Sequence, residues 1–388
     1  MTARLPAHTA EPVRGGGLIA LIAFAAVAPL VLMTAPALAS QLAGQFGLGP
    51  ERIGRLFAVE LGAMSLATLP AYLWLPRVDW RRAAACAGGL FIAANLASCF
   101  AATYAELLPC RLLSALAGGS LMILCLSTAA ASANPDRAYG LWVSGQLALG
   151  ALGLALFPAW FARYGIAACY LSLAALMALC LPLARCFPPS AARPGRPADA
   201  EAQPWRPALV GAAATLCFYV SLSGTWTFIG GIAAQAGLTP RQSGDWLALA
   251  TLMGIVGSVC AAAIGGRGSR RRLLIAGYGL MLLSLALLLG APRVGRFAAA
   301  ALVFKYAWTF ILPFILATLA ALDRSGRLMS TVNLAIGGGL ALGPALAGEL
   351  MAAHGQNPQT LLLVSMGLAA LSLALLLTLR PTTIRSPQ

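Results

Sequence analysis

The chain has 388 residues, 60% of them hydrophobic and 10% charged, with a mean hydropathy of +0.83. A soluble domain carries about 25% charged residues, so water is excluded as the solvent for most of this surface. The net charge of +15 does not point to nucleic acid, because the basic residues form short clusters between apolar runs instead of a stripe with interleaved aromatics.

Residues 1–16 are polar, contain Arg4 and Arg14, and are expected to form a cytoplasmic tail. The apolar run 17–40 that follows is longer than a signal-peptide core, so it is expected to remain as a first membrane span. A bilayer core about 30 Å thick needs about 20 apolar residues in a helix. Eleven further runs meet that requirement, at 53–76, 83–103, 107–130, 138–161, 166–184, 207–232, 244–265, 273–291, 297–320, 328–352 and 358–379. Connections are short except at 185–206, where Pro, Arg, Asp and Glu cluster. The expected architecture is an all-α membrane protein of twelve helices. It comprises a six-helix bundle at 17–184, a cytoplasmic linker at 185–206, a second bundle at 207–379 and a cytoplasmic tail at 380–388.

Arg and Lys in short loops are retained on the cytoplasmic side. With the N-terminus inside, the cytoplasmic loops hold Arg77, Arg81, Arg82, Arg137, Arg267, Arg270, Arg271, Arg272, Arg324 and Arg327, besides the linker arginines. The opposite loops hold only Arg52, Arg55, Arg163, Arg241, Arg293 and Arg296. Both termini are therefore expected in the cytoplasm, and the chain as a multi-pass protein of the inner (cytoplasmic) cell membrane.

The two bundles repeat one another. Gly47-Leu48-Gly49-Pro50 with Gly54 matches Gly237-Leu238-Thr239-Pro240 with Gly244, and in the same register Arg77, Arg81 and Arg82 meet Arg267, Arg271 and Arg272. Further on, Asp136-Arg137 matches Asp323-Arg324, and Gln146 with Gly150 matches Asn333 with Gly337. Matches in Pro, Arg, Asp and amide residues, kept in one order, are not the product of an Ala/Leu-rich composition.

Duplicated six-helix halves, a charged linker and a basic turn after the second span of each half resemble the major facilitator superfamily over nearly the whole chain. That family's Gly-x-x-x-Asp-Arg-x-Gly-Arg-Arg turn has degenerate counterparts in YLWLPRVDWRR (Tyr72 to Arg82) and AAAIGGRGSRR (Ala262 to Arg272), with Pro76 and Gly266 at the acidic position. Arg111 to Gly119 is similar to its Arg-x-x-x-Gly-x-x-Gly pattern, with Ala115 replacing one Gly. Gly145, Gly150 and Gly153 echo its glycine-rich fifth span, and Gly343-Pro344 supplies a Gly-Pro pair in the eleventh. The resemblance implies alternating access, with a cytoplasmic gate at Arg77, Arg81, Arg82, Asp136, Arg137, Arg267, Arg271, Arg272, Asp323 and Arg324.

A charge in hydrocarbon costs about 2.5–3.5 kcal/mol on insertion scales and needs water or a partner. Glu60, Arg111 and Lys305, the lone lysine, fall about 8–13 Å inside the second, fourth and tenth spans at 1.5 Å per residue. Glu60 and Arg111 are expected to pair and to carry proton coupling, because a carboxylate that is paired in one state and unpaired in a dry site in another changes its proton affinity. Lys305 is expected to face them across a central cavity. Tyr219 and Trp226 share one helical face of the seventh span, Trp308 lies near Lys305, and Gln146 and Asn333 occupy matched positions, so these residues with Lys305 are the expected solute contacts.

The nine cysteines are scattered, without a C-x-x-C pair, and read as buried hydrophobes. No P-loop, H-E-x-x-H or G-x-S-x-G pattern stands in a plausible setting, so no cofactor, no metal and no enzymatic activity are expected. A polytopic membrane enzyme and a membrane scaffold or sensor are the competing classes. The first would need clustered acids, His or a nucleophile, and the second an added soluble domain. The expected function is secondary, proton-coupled transport of a small organic solute by a monomer in the lipid bilayer, without nucleic acid. Two cations against one carboxylate, with Trp226, Tyr219 and Trp308, favour an amphipathic or aromatic anion; proton-driven efflux of hydrophobic compounds is the alternative.

Overall fold

In the computed structural model the described residues are 15–189, 205–265, 269–323 and 327–379. The two tails, most of the linker, Arg267 and Arg324 lie outside them, as does the side chain of Asp136. The first half is built from α1 (Gly15–Val27), α2 (Leu30–Met33), α3 (Ala35–Phe46), α4 (Pro50–Leu66), α5 (Thr68–Trp74), α6 (Trp80–Phe100), α7 (Tyr104–Ala130), α8 (Pro135–Tyr164) and α9 (Ala167–Cys180). The second consists of α10 (Trp205–Gln235), α11 (Pro240–Ile264), α12 (Arg270–Leu288), α13 (Val294–Ala320), α14 (Arg327–Ala353) and α15 (Pro358–Thr378). Among the described residues there is no strand, and 11 helical segments are long and apolar enough to cross a membrane. Twelve segments result when the interrupted first one is included.

Backbone groups in oil must be paired within their own segment, which is why apolar runs become helices. The helices outrun the apolar runs because their ends are capped by polar residues. Asp79 accepts from the amides of Arg81 and Arg82, Asn134 from Arg137, and Thr239 forms a capping box with Gln242. The repeated Gly-Leu-x-Pro motif is the turn between the first two spans of each half. Gly47 and Gly237 adopt left-handed φ of 61° and 83°, which an L side chain resists, and Pro50 and Pro240 open the next helix, where a missing N–H costs nothing.

The first span departs from the sequence expectation of one helix over 17–40. It runs on to Phe46 and is broken at Ala28–Pro29 and again at Thr34. Pro29 and Pro36 lack the amides a continuous helix needs, and Thr34 Oγ1 turns back to donate to the Leu30 carbonyl at 2.8 Å. Pro36 leaves the Leu32 carbonyl without its i+4 donor. Irregular backbone at this depth is tolerated where it lines a cavity or is buried in protein.

The halves meet through two related pairs: α4 packs on α14, and its repeat counterpart α11 packs on α8. The first span adds a third seam, α3 on α10. Main chain meets main chain across the halves at the end away from the arginine-rich loops, which we call the far end. A methyl group on Gly54 would land on the Pro344 carbonyl, and one on Gly244 would lie 2.7 Å from Pro158 Cγ. Arg55 ties the same end, its Nε and Nη2 donating to Glu349 Oε1 across the halves at 3.2 and 3.0 Å, with Glu51 beside it.

Candidate functional site

Glu60 on α4 and Arg111 on α7 come together, as their equal depth suggested. Arg111 Nε donates to Glu60 Oε1 at 3.2 Å, and Nη2 lies 3.1 Å from the same oxygen without meeting hydrogen-bond geometry. Nη1 donates to Asn95 Oδ1 at 2.9 Å and Ser98 Oγ at 3.3 Å, both from α6. Asn95 Nδ2 is spent on the Phe91 carbonyl at 2.8 Å and Ser114 Oγ at 2.9 Å, which turns its oxygen toward the guanidinium. The Tyr170 ring of α9 closes the remaining face, 4.5 Å from Arg111 Cζ. Four helices of one half thus surround a buried ion pair, Arg111 being 1% exposed and Glu60 7%. Such a pair is costly to desolvate and more costly to break.

Lys305 does not join it. The side chain is 1% exposed and its Nζ lies 3.7 Å from the Trp226 ring centre and 4.2 Å from that of Trp308. A desolvated cation over an indole gains about 2 kcal/mol, and Phe304 stacks parallel to Trp226 behind it. Trp226 also crosses between the halves: its Nε1 donates at 3.0 Å to the Leu32 carbonyl that Pro36 left free. The face carrying Tyr219, Ser223 and Trp226 is covered by α14 and the first span. Ser223 Oγ donates to the Gly339 carbonyl at 3.0 Å, and Tyr219 is buried against Gly339. Replacing Trp226 by phenylalanine removes one cross-half hydrogen bond, worth about 1 kcal/mol net. The expected result is an approximately fivefold shift toward far-end separation, read as the distance between spin labels at Arg52 and Gln356.

Between the halves, toward the basic end, lies a cavity of about 250 Å³. The first span contributes Pro29 and Leu32, α4 and α5 contribute Leu61, Met64, Ser65 and Thr68, and α7 contributes Met122, Ile123 and Leu126. Trp142 and Gln146 project from α8, and Asn333, Leu334, Ile336 and Leu340 from α14. The two amides that the repeat matched are therefore brought to one space, one from each half. None of the lining residues is charged: Glu60, Arg111, Lys305, Trp226, Tyr219 and Trp308 all stand behind the wall. The expectation that three charges share a wet pocket is corrected for this conformation, because pairing and ring contacts satisfy each charge inside its own half.

At the basic end, Arg77, Arg81, Arg82, Arg137, Arg271 and Arg272 are exposed. Arg81 Nε donates to the Phe187 carbonyl at 2.9 Å, within its own half, and Asp323 Oδ2 accepts from the Met329 amide at 3.0 Å. The remaining gate members, Arg267, Arg324 and the Asp136 side chain, lie outside the described residues.

Sequence reasoning missed Asn95, Ser98 and Tyr170 around the ion pair and Trp142 in the cavity wall. The available signal was the i, i+3 spacing of Asn95 and Ser98, two polar residues on one face of an apolar span.

The family model described as Major Facilitator Superfamily matches residues 17–304. No curated protein sequence matches the chain significantly. Among solved structures, the crystal structure of the nucleoside transporter NupG superposes with a TM-score of 0.72 at 13% identity, covering 94% of this chain and 100% of that one. A bacterial homologue of the human lysosomal transporter Spinster, in an inward-facing and unoccupied conformation, gives 0.65 at 14% identity, covering 95% of each chain. At these identities the likeness is one of fold, and with the family match over most of the chain it shows that this is a multi-pass membrane protein with a transporter fold, a member of the Major Facilitator Superfamily.

Proposed function

We propose that the chain is a secondary transporter that moves a small organic solute across the inner membrane by alternating access, driven by protons through the Glu60–Arg111 pair. The observation that carries this is the asymmetry of the seam between the halves: sealed by backbone contact at the far end, hollow toward the basic end. Arginine-rich loops are retained in the cytoplasm, so this conformation faces inward, and rocking the halves about the cavity would expose it to the other side. Glu60 lies one helical turn from the cavity-lining Met64, close enough for a rearrangement there to strain the ion pair. Burying a carboxylate whose cation has moved favours taking up a proton. The arginines at the basic end would then form the gate when the seam closes there.

The test is uptake into proteoliposomes with and without an imposed proton gradient. Glu60→Gln is expected to lose gradient-driven accumulation at least tenfold while retaining solute exchange within about threefold. Unchanged accumulation in that variant would remove Glu60 from coupling, and no exchange by the parent protein with any solute would remove the transport reading itself.

A further inference from the structure

We infer that the solute is uncharged and carries a donor–acceptor edge, an amide, lactam or similar group, held between Gln146 and Asn333. The inference rests on the transport reading above and names its substrate class.

Three observations converge. First, the cavity wall is apolar apart from five residues, Ser65, Thr68, Trp142, Gln146 and Asn333, and none of its lining residues is charged. A charged solute entering it would give up hydration without meeting a counter-charge. Second, among the described residues neither the Gln146 nor the Asn333 side chain has a hydrogen-bonding partner, in contrast to Ser65, whose hydroxyl is spent on the Leu61 carbonyl at 3.0 Å. A carboxamide offers two donors and one acceptor oxygen, so this pair can bracket a group that both gives and receives. Third, Trp142 Nε1 is buried and meets no acceptor among the described residues. The nitrogen exposes less than 1 Å², so a carbonyl of the solute reaches it only when the indole turns, and a buried donor left unpaired favours such a turn.

The placement of the two amides adds a mechanical consequence. They descend from matched positions of the repeat, one on α8 and one on α14, so a solute bridging them is bound by both halves at once. Lys305 and Arg111, the cations that favoured an anion, are held by Trp226, Trp308, Glu60 and Asn95 and contribute nothing to this wall.

The experiment compares matched triads on the same ring systems, benzamide, benzoate and benzylammonium being the simplest, in counterflow with the purified protein in proteoliposomes. Alternation of the halves is read in parallel from spin labels at Arg52 and Gln356. The expected result is carriage of carboxamides in preference to both charged partners, with KM raised at least tenfold in Gln146→Leu and in Asn333→Leu. Gln146→Asn is expected to restore KM to within about threefold. Preference for the carboxylate or the ammonium, or an unchanged KM in both leucine variants, overturns the inference and leaves the carrier standing. Absence of carriage for every carboxamide with the halves still alternating overturns the inference alone, and absence of both carriage and alternation overturns the transport reading with it.

Discussion

Replacing Gly54 by leucine is expected to lower transport by up to about a hundredfold while leaving the protein folded. The Gly54 Cα faces the Pro344 carbonyl and the Gly348 backbone, and the neighbouring atoms are main chain that no rotamer change can move aside. Overpacking a closed contact costs about 1–3 kcal/mol, and here the cost falls only on the conformation in which the far end is sealed. A penalty of about 3 kcal/mol on one state lowers its population roughly a hundredfold. Spin labels at Arg52 and Gln356 should report a longer distance in the variant, and uptake should fall in parallel. Gly244→Leu should act likewise at the symmetric seam, where the Leu154 carbonyl and Pro158 approach. Arg55→Ala is the informative contrast: the ion pair to Glu349 is exposed, and exposed pairs contribute little. Less than about a twofold change in uptake is expected there. A large effect of Arg55→Ala with a small one for Gly54→Leu would place the seal in charge pairing and not in backbone contact.

Arg111→Met is expected to destabilise the protein by about 3–5 kcal/mol, because it leaves Glu60 buried without its cation and strips Asn95 Oδ1 of its donor. Thermal unfolding in detergent would show it as a lowered Tm and a reduced yield of monodisperse protein. Replacing both members together, Glu60→Met with Arg111→Met, removes the unpaired charge as well as the pair, so most of the stability should return. Proton-driven accumulation should not return with it, which separates the structural role of the pair from its proposed role in coupling. If the double variant were as unstable as the single, the cost would lie in lost packing against Tyr170 and not in an orphaned charge.

Several features of the fold were legible in the chain before any coordinates. Gly54 and Gly244 were marked by an internal match, and both prove to be contact points between the halves. Glu60 and Arg111 were marked by charge at equal depth, and they meet. Gln146 and Asn333 were marked by the repeat, and they face one cavity. Charges and amides made the signal by their rarity in an apolar helix, and the glycines, which are common in this chain, made it by repetition. Asn95, Ser98 and Tyr170 gave no comparable signal, since neutral polar residues are common between packed membrane helices. Lys305 carried a strong signal with the wrong destination: its depth was right, but the indoles of Trp226 and Trp308 hold it within its own half. The break in the first span was likewise hidden, although Pro29 and Pro36 were in plain view, because prolines also occur in unbroken α7, α8, α13 and α14.

Which stretches enter the membrane as helices, where they begin and end, and which side their basic loops favour are written locally, in runs of about 20 residues. They follow from the cost of an unpaired backbone group in hydrocarbon, a cost each segment settles by itself. Which way each helix is turned about its axis is not written locally. That rotation puts Arg111 against Glu60, encloses Lys305 in indole rings and leaves two amides facing an uncharged space. It is set by the fit of side chains and backbones from segments far apart in the chain, so only their assembly could decide it.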